Sequence, residues 1–121
     1  MRAQLKEIYS IQIPEKLINF WPAEPTDFGI LLRLMIGPEG VEHSDSFEIF
    51  VCTPTWIKNR IYEDKYMWGQ HLLIVQEYDY ELFRQTLSKN VSLCTGKDWH
   101  EVARKISRFA AWEFEDYQPL R

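Results

Sequence analysis

Apolar positions recur along the chain with two periods, and each change of period marks a change of element. In DSFEIFVCTPTW (Asp45–Trp56), Phe47, Ile49 and Val51 alternate with Glu48, Phe50 and Cys52, which is the period of a strand. Both sides are apolar apart from Glu48, so the pattern predicts a central strand covered on both faces. Pro54 ends it, because proline has no N–H to give to a ladder. The same proline pre-sets φ for a short helix opening at or near Thr53. Asp27–Gly37 shows the alternation again, with Phe28, Ile30, Leu32, Leu34 and Ile36 on one face and Leu31, Arg33 and Met35 on the other. The turn-rich, acidic loop Gly37–Asp45 joins the two strands, and an antiparallel hairpin is the simplest arrangement.

Arg2–Ser10 reads as a first strand with an imperfect alternation: Ala3, Leu5 and either Ile8 or Tyr9 turn inward. Ile11–Pro25 carries Pro14, Pro22 and Pro25, which exclude a long helix but leave room for a helical turn around Glu15–Phe20. Thr55–Tyr66 is a short helix or loop, and His71–Tyr78 is a further strand. Asp79 then serves as the N-cap of a helix over Tyr80–Val91, with Phe83, Leu87 and Val91 four residues apart. Asp98 and Glu101 make a pattern close to a capping box. It opens a last helix whose stripe is Trp99, Val102, Ala103, Ile106, Phe109 and Ala110. Arg104, Lys105 and Arg108 fall toward its C-terminus, where the dipole favours cations. The tail WEFEDY (Trp112–Tyr117) alternates ring and carboxylate, which fits an extended segment. The predicted fold class is α+β: an antiparallel or mixed β-sheet with two C-terminal helices packed on one side. The 121 residues make one domain, spanning 1–121.

Composition narrows the function classes. A net charge of −4 argues against nucleic acid as a partner and suits a basic protein partner. Five Trp, six Tyr and seven Phe exceed what a core of this size needs, so some rings should face outward as anchors for a partner. Two cysteines, Cys52 and Cys94, are too few for a disulfide framework, and Cys52 reads as a buried free thiol. No apolar run approaches the roughly 20 residues that span a bilayer, so no membrane association is expected and the default compartment is the cytoplasm.

Catalytic and metal chemistry find little support. His43, His71 and His100 have no companion at ligand spacing, and neither C-x-x-C nor H-E-x-x-H occurs. Glycines 29, 37, 40, 69 and 96 form no phosphate-binding loop. No cofactor is therefore expected. The candidates that remain are carboxylates grouped with rings: Glu113, Glu115, Asp116 and Tyr117 in the tail, then Glu77 and Asp79. Acids complement a cationic active site, and rigid aromatics desolvate the contact.

Several stretches also resemble the Immunity protein 8 family, small bacterial proteins of polymorphic toxin systems that include contact-dependent growth inhibition. They are MIGPEG (Met35–Gly40), SFEIFVCTPTW (Ser46–Trp56), GQHLLIVQEYDY (Gly69–Tyr80), the W-x-E-V of Trp99–Val102, and WEFEDY. The resemblance implies a non-enzymatic inhibitor that binds the C-terminal domain of a cognate toxin, often a nuclease, and occludes it. Two other classes compete with it. A small hydrolase-like enzyme using a Cys–His pair would lose activity on Cys52→Ser or Cys94→Ser. An obligate subunit of a larger assembly would aggregate when made alone.

Overall fold

The computed structural model describes residues 1–115. The hairpin is its centre: β2 (Gly29–Pro38) pairs antiparallel with β3 (Asp45–Cys52), in a register running from Gly29 opposite Cys52 to Ile36 opposite Asp45. The first strand, β1 (Ala3–Tyr9), lies antiparallel on the far side of β2. Its register shifts between Leu5 and Glu7, so Leu5 and Ile8 both reach the core while Tyr9 lies opposite Arg33 on the other face. That bulge is the physical reason for the imperfect alternation in this segment.

On its other side β3 is shared between two short strands. Residues 50–52 pair parallel with β4 (Leu72–Ile74), and residues 47–48 pair antiparallel with β5 (Ala111–Trp112). The sheet is therefore mixed, and five-stranded among the described residues. The fourth strand is shorter than His71–Tyr78. His71 enters it with φ 57°, and after Ile74 the Val75 N–H makes one more bond to Cys52. The chain then leaves the sheet, and the Tyr78 N–H donates to Pro25.

Of the helices among the described residues, α1 (Pro54–Asp64) opens at Thr53, whose buried hydroxyl oxygen accepts from the N–H groups of Phe28 and Trp56 and so ties the helix start to β2. The second, α2 (Tyr80–Ser92), is capped by Asp79, which accepts from Leu82 N–H at 3.1 Å, and buries Phe83, Leu87 and Val91. The third, α3 (Trp99–Ile106), is capped by Asp98, which accepts from Glu101 N–H at 2.9 Å, and buries Val102, Ala103 and Ile106. It stops before Phe109 and Ala110, so the end of the expected stripe lies in a turn, although Ala110 is still buried. The connector supplies a 3-10 turn at Leu17–Asn19, inside the stretch where one was expected.

α2 and α3 pack on one face of the sheet. Their apolar stripes join Ile30, Leu32, Leu34, Ile36, Phe47, Ile49 and Val51 in a single core cluster. The opposite face does not follow the expectation that β3 is covered on both sides. Ser46, Glu48 and Phe50 of β3, with Leu31, Arg33 and Met35 of β2, are only half-buried. Helix α1 buries none of its residues and covers one corner, where Trp56 packs on Phe50 with ring centroids 4.9 Å apart. A β-carbon on Gly29 would meet the Trp56 ring at 2.6 Å, so glycine is what lets the helix sit this close.

Asp45, at the start of β3, holds the far corner. One carboxylate oxygen accepts from the indole N–H groups of Trp99 at 2.7 Å and Trp112 at 3.0 Å; the other lies 3.3 Å from Nε2 of His43. A single buried side chain thus fastens α3 and β5 to the central strand.

Candidate functional site

Three surface regions stand out. The largest is a cleft of about 710 Å³ between α1, the segment that follows it and β4, lined by Phe50, Trp56, Tyr66, Met67, Trp68 and Leu72 with Arg60 and Asp64 at its edge. Arg60 and Asp64 pair at 2.9 Å one helical turn apart, which neutralises the rim and leaves the wall apolar. Of its rings Tyr66 is 68% exposed and Trp68 84%, and Tyr62 of α1, outside the lining, is 79% exposed. Rings at that exposure contribute nothing to the core, and their natural use is contact with another molecule.

The second region, about 380 Å³, lies at the end of the sheet where β3 finishes. It combines the exposed Ile18 and Trp21 with Phe20, Glu77, Asp79 and Glu81. Glu77 and Asp79, expected from the sequence as partner contacts, are exposed here beside rings; Asp79 also caps α2, and Glu81 is held by Arg84. The arginine beside Glu81 lowers that carboxyl's pKa and offsets its charge, so the negative charge of the patch comes from Glu77 and Asp79.

The third region, about 450 Å³, lies between α3 and β5 and contains Glu115 with His100, Arg104, Arg108, Trp112 and Phe114. Of the first-choice residues of the tail, Glu115 falls here with Glu113 close to it in the chain, and the structure separates both from Glu77 and Asp79. Glu113 pairs with the beginning of β3, where Ser46 N–H donates to its carboxylate at 2.7 Å, whereas Glu77 lies beyond the strand's other end. Six strand residues, about 20 Å, lie between. Glu113 and Glu115 are exposed, but two arginines share their surroundings, so this corner is not an acidic patch. Asp116 and Tyr117 lie outside the described residues.

The cysteines offer no nucleophile. Cys52 and Cys94 are buried, and burial pushes both thiols up, the opposite of an activated thiolate. Cys94 donates to the Asn90 carbonyl, and neither sulfur has an imidazole partner among the described residues. His71 instead bonds the Ser107 carbonyl at 3.2 Å, and His43 lies by Asp45. No group of three metal-ligating side chains occurs among the described residues. No helix there is long and apolar enough to cross a membrane.

The family model described as Immunity protein 8 matches residues 3–117. The chain belongs to the Immunity protein 8 family. Membership carries with it an immunity protein of a polymorphic toxin system, one that binds a toxin. No curated protein and no solved structure matches the chain. Within this family member, the aromatic cleft is the feature that reading by period missed. Tyr62, Tyr66 and Trp68 belong to no strand alternation and no buried helical stripe. The signal that remained was three large rings interleaved with charges in one short run, YEDKYMW.

Proposed function

We propose that this protein neutralises its cognate toxin stoichiometrically in the cytoplasm, by binding the toxin's C-terminal domain and covering its active site or the path to it, with no reaction of its own. The observation that carries this reading is the cleft beside α1, where the exposed rings Tyr66 and Trp68 stand over an apolar wall. Interfaces of tight inhibitors are dominated by a few desolvated Trp and Tyr anchors, each costing about 2–4 kcal/mol on truncation. The carboxylates serve as the charged surround. Glu77 and Asp79 draw in a basic toxin and reject partners of the wrong charge, and Glu113 and Glu115, followed in the chain by Asp116 and Tyr117, add polar contacts at the far corner. A nuclease domain of a contact-dependent inhibition system has that basic character, because it must hold a polyanion.

The test is co-expression with the toxin domain of the neighbouring gene, read as survival, together with the affinity of the purified pair. Wild type should rescue growth and form a one-to-one complex. Trp68→Ala should unfold at the wild-type temperature, since the ring is 84% exposed, yet bind about 30-fold more weakly or worse. Absence of both rescue and complex refutes the function. A Trp68→Ala protein that binds as tightly as wild type refutes the cleft as its seat.

A further inference from the structure

Helix α3 and strand β5 enclose the second-largest cavity described above, and its charge is opposite in sign to that of the molecule. Arg104 and Arg108, one turn apart and both exposed, line it with His100, Trp112 and Phe114, and Glu115 is its one carboxylate. Arg33, Arg60 and Arg84 each hold an acidic side chain, at 3.3, 2.9 and 2.5 Å. Among the described residues, Arg104 and Arg108 hold none. Both also line the adjoining depression with Glu101 and Lys105, and that carboxylate is taken by its own lysine at 3.9 Å. The helix dipole accounts for cations on the last turn. It does not account for two guanidinium groups that, among the described residues, hold no ion-pair partner and face one groove with a single carboxylate, Glu115, beside the rings Trp112 and Phe114. In a chain of net charge −4, that arrangement fits a site complementary to a carboxylate.

The groove and the aromatic cleft lie on opposite faces of the sheet, Trp112 packing on the core-facing Phe47 and the cleft on Phe50, and they approach each other at the β4 edge. His71, next to the Leu72 that lines the cleft, meets the carbonyl of Ser107, which lines the groove, at 3.2 Å. Stable interfaces take roughly 20–30 residues a side, and the cleft alone offers eight. A partner seated in the cleft must therefore spread, and the way round the β4 edge leads to the groove.

We propose that the groove between α3 and β5 is the second half of the toxin interface and receives an acidic segment of the toxin, whose carboxylates pair with Arg104 and Arg108. The inference rests on the toxin-binding function proposed above. The toxin is basic as a whole, which suits long-range attraction, while a local acid at this point fixes the register of docking. Nucleic acid is disfavoured as the occupant by the overall negative charge, which repels a polyanion at distance.

The experiment measures binding of the neighbouring gene's toxin domain, inactivated in its active site, to wild type, R104E/R108E, R104K/R108K and W68A at 50 and 300 mM salt. All the substituted side chains are exposed, and circular dichroism verifies the fold. The expected result is a 30-fold or greater loss for R104E/R108E at 50 mM, a smaller loss at 300 mM, and a loss of less than tenfold for R104K/R108K. If wild type does not bind, the immunity reading itself fails. If wild type binds, W68A weakens it and R104E/R108E stays within twofold of wild type, the function stands and the groove proposal is overturned. It is equally overturned if a 20-nucleotide single strand binds wild type at 150 mM salt and the charge reversal abolishes that binding. A wild-type dimer that the reversal converts to monomer overturns it in favour of a second copy.

Discussion

Replacing Asp45 tests whether one carboxylate holds α3 and β5 to the sheet. The side chain is 7% exposed and receives two indole N–H bonds, at 2.7 and 3.0 Å. Hydrogen bonds to a charged group are worth about 1.5–3 kcal/mol each, and leaving buried donors unmet adds to the loss. Trp99 and Trp112 are only half-buried, so water reaches part of what alanine would vacate, and the lower end of that range applies to each bond. Asp45→Ala should therefore cost about 3 kcal/mol. With an unfolding entropy of about 2.1 cal/mol/K per residue over 121 residues, that is a drop of about 12 °C in Tm. Asp45→Asn keeps an oxygen where both indoles point and loses only the charge, so its cost should be about 1 kcal/mol. Urea unfolding followed at 222 nm gives both numbers without relying on tryptophan fluorescence, which the substitution itself would alter. An Asp45→Ala protein within 0.5 kcal/mol of wild type, or an Asn variant as damaged as the Ala one, would falsify the claim that this carboxylate is the fastening.

Two further outcomes follow from buried titratable groups. Tyr78 is 2% exposed, donates to the Leu17 carbonyl at 3.2 Å, and burial pushes its hydroxyl up to about 12. A phenol whose folded pKa lies above the ordinary 10 favours the fold fully below pH 10 and loses that contribution as pH rises toward 12, a fall of about 2 kcal/mol. Tyr78→Phe should thus be about 1 kcal/mol less stable than wild type at pH 8, with the gap closing at about pH 10.7 and Phe about 1 kcal/mol the more stable by pH 11.5; urea midpoints showing a constant gap would contradict this. Cys52 and Cys94 should react with a thiol reagent at pH 8 only as fast as the chain unfolds, and at once in 8 M urea. Labelling of Cys52 at the rate of a free thiol in native buffer would reopen the case for a nucleophile.

The hairpin was legible in the sequence because each of its strands buries one face, and burial writes itself as alternation: Ile30 to Ile36 and Phe47 to Val51 lie as expected. The caps at Thr53, Asp79 and Asp98 were legible for a local reason, the short side chain that reaches a nearby N–H. The shared edge of β3 was not. A three-residue parallel strand and a two-residue antiparallel one are too short to show a period, and what places them is contact with residues more than 20 positions away. Nor did sequence show that the tail folds back against α3. It presented Glu113 and Glu115 as an acidic run, and only the pairing of Trp112 with Phe47 brings that run beside Arg104 and Arg108. The overall class, α+β with α2 and α3 on one side of the sheet, was readable because it depends on periods alone.

Helix α1 buries none of its 11 residues. Its outward positions are consequently free of the packing demands that constrain α2 and α3, and a lineage could exchange them one at a time without unfolding the chain. A defence that must keep pace with a changing adversary gains from such a division: the scaffold stays fixed while exposed helix positions drift. The same separation makes Arg60 and Asp64, on the side of α1 that lines the cleft, the places to randomise when testing whether the proposed seat can be turned toward a different target.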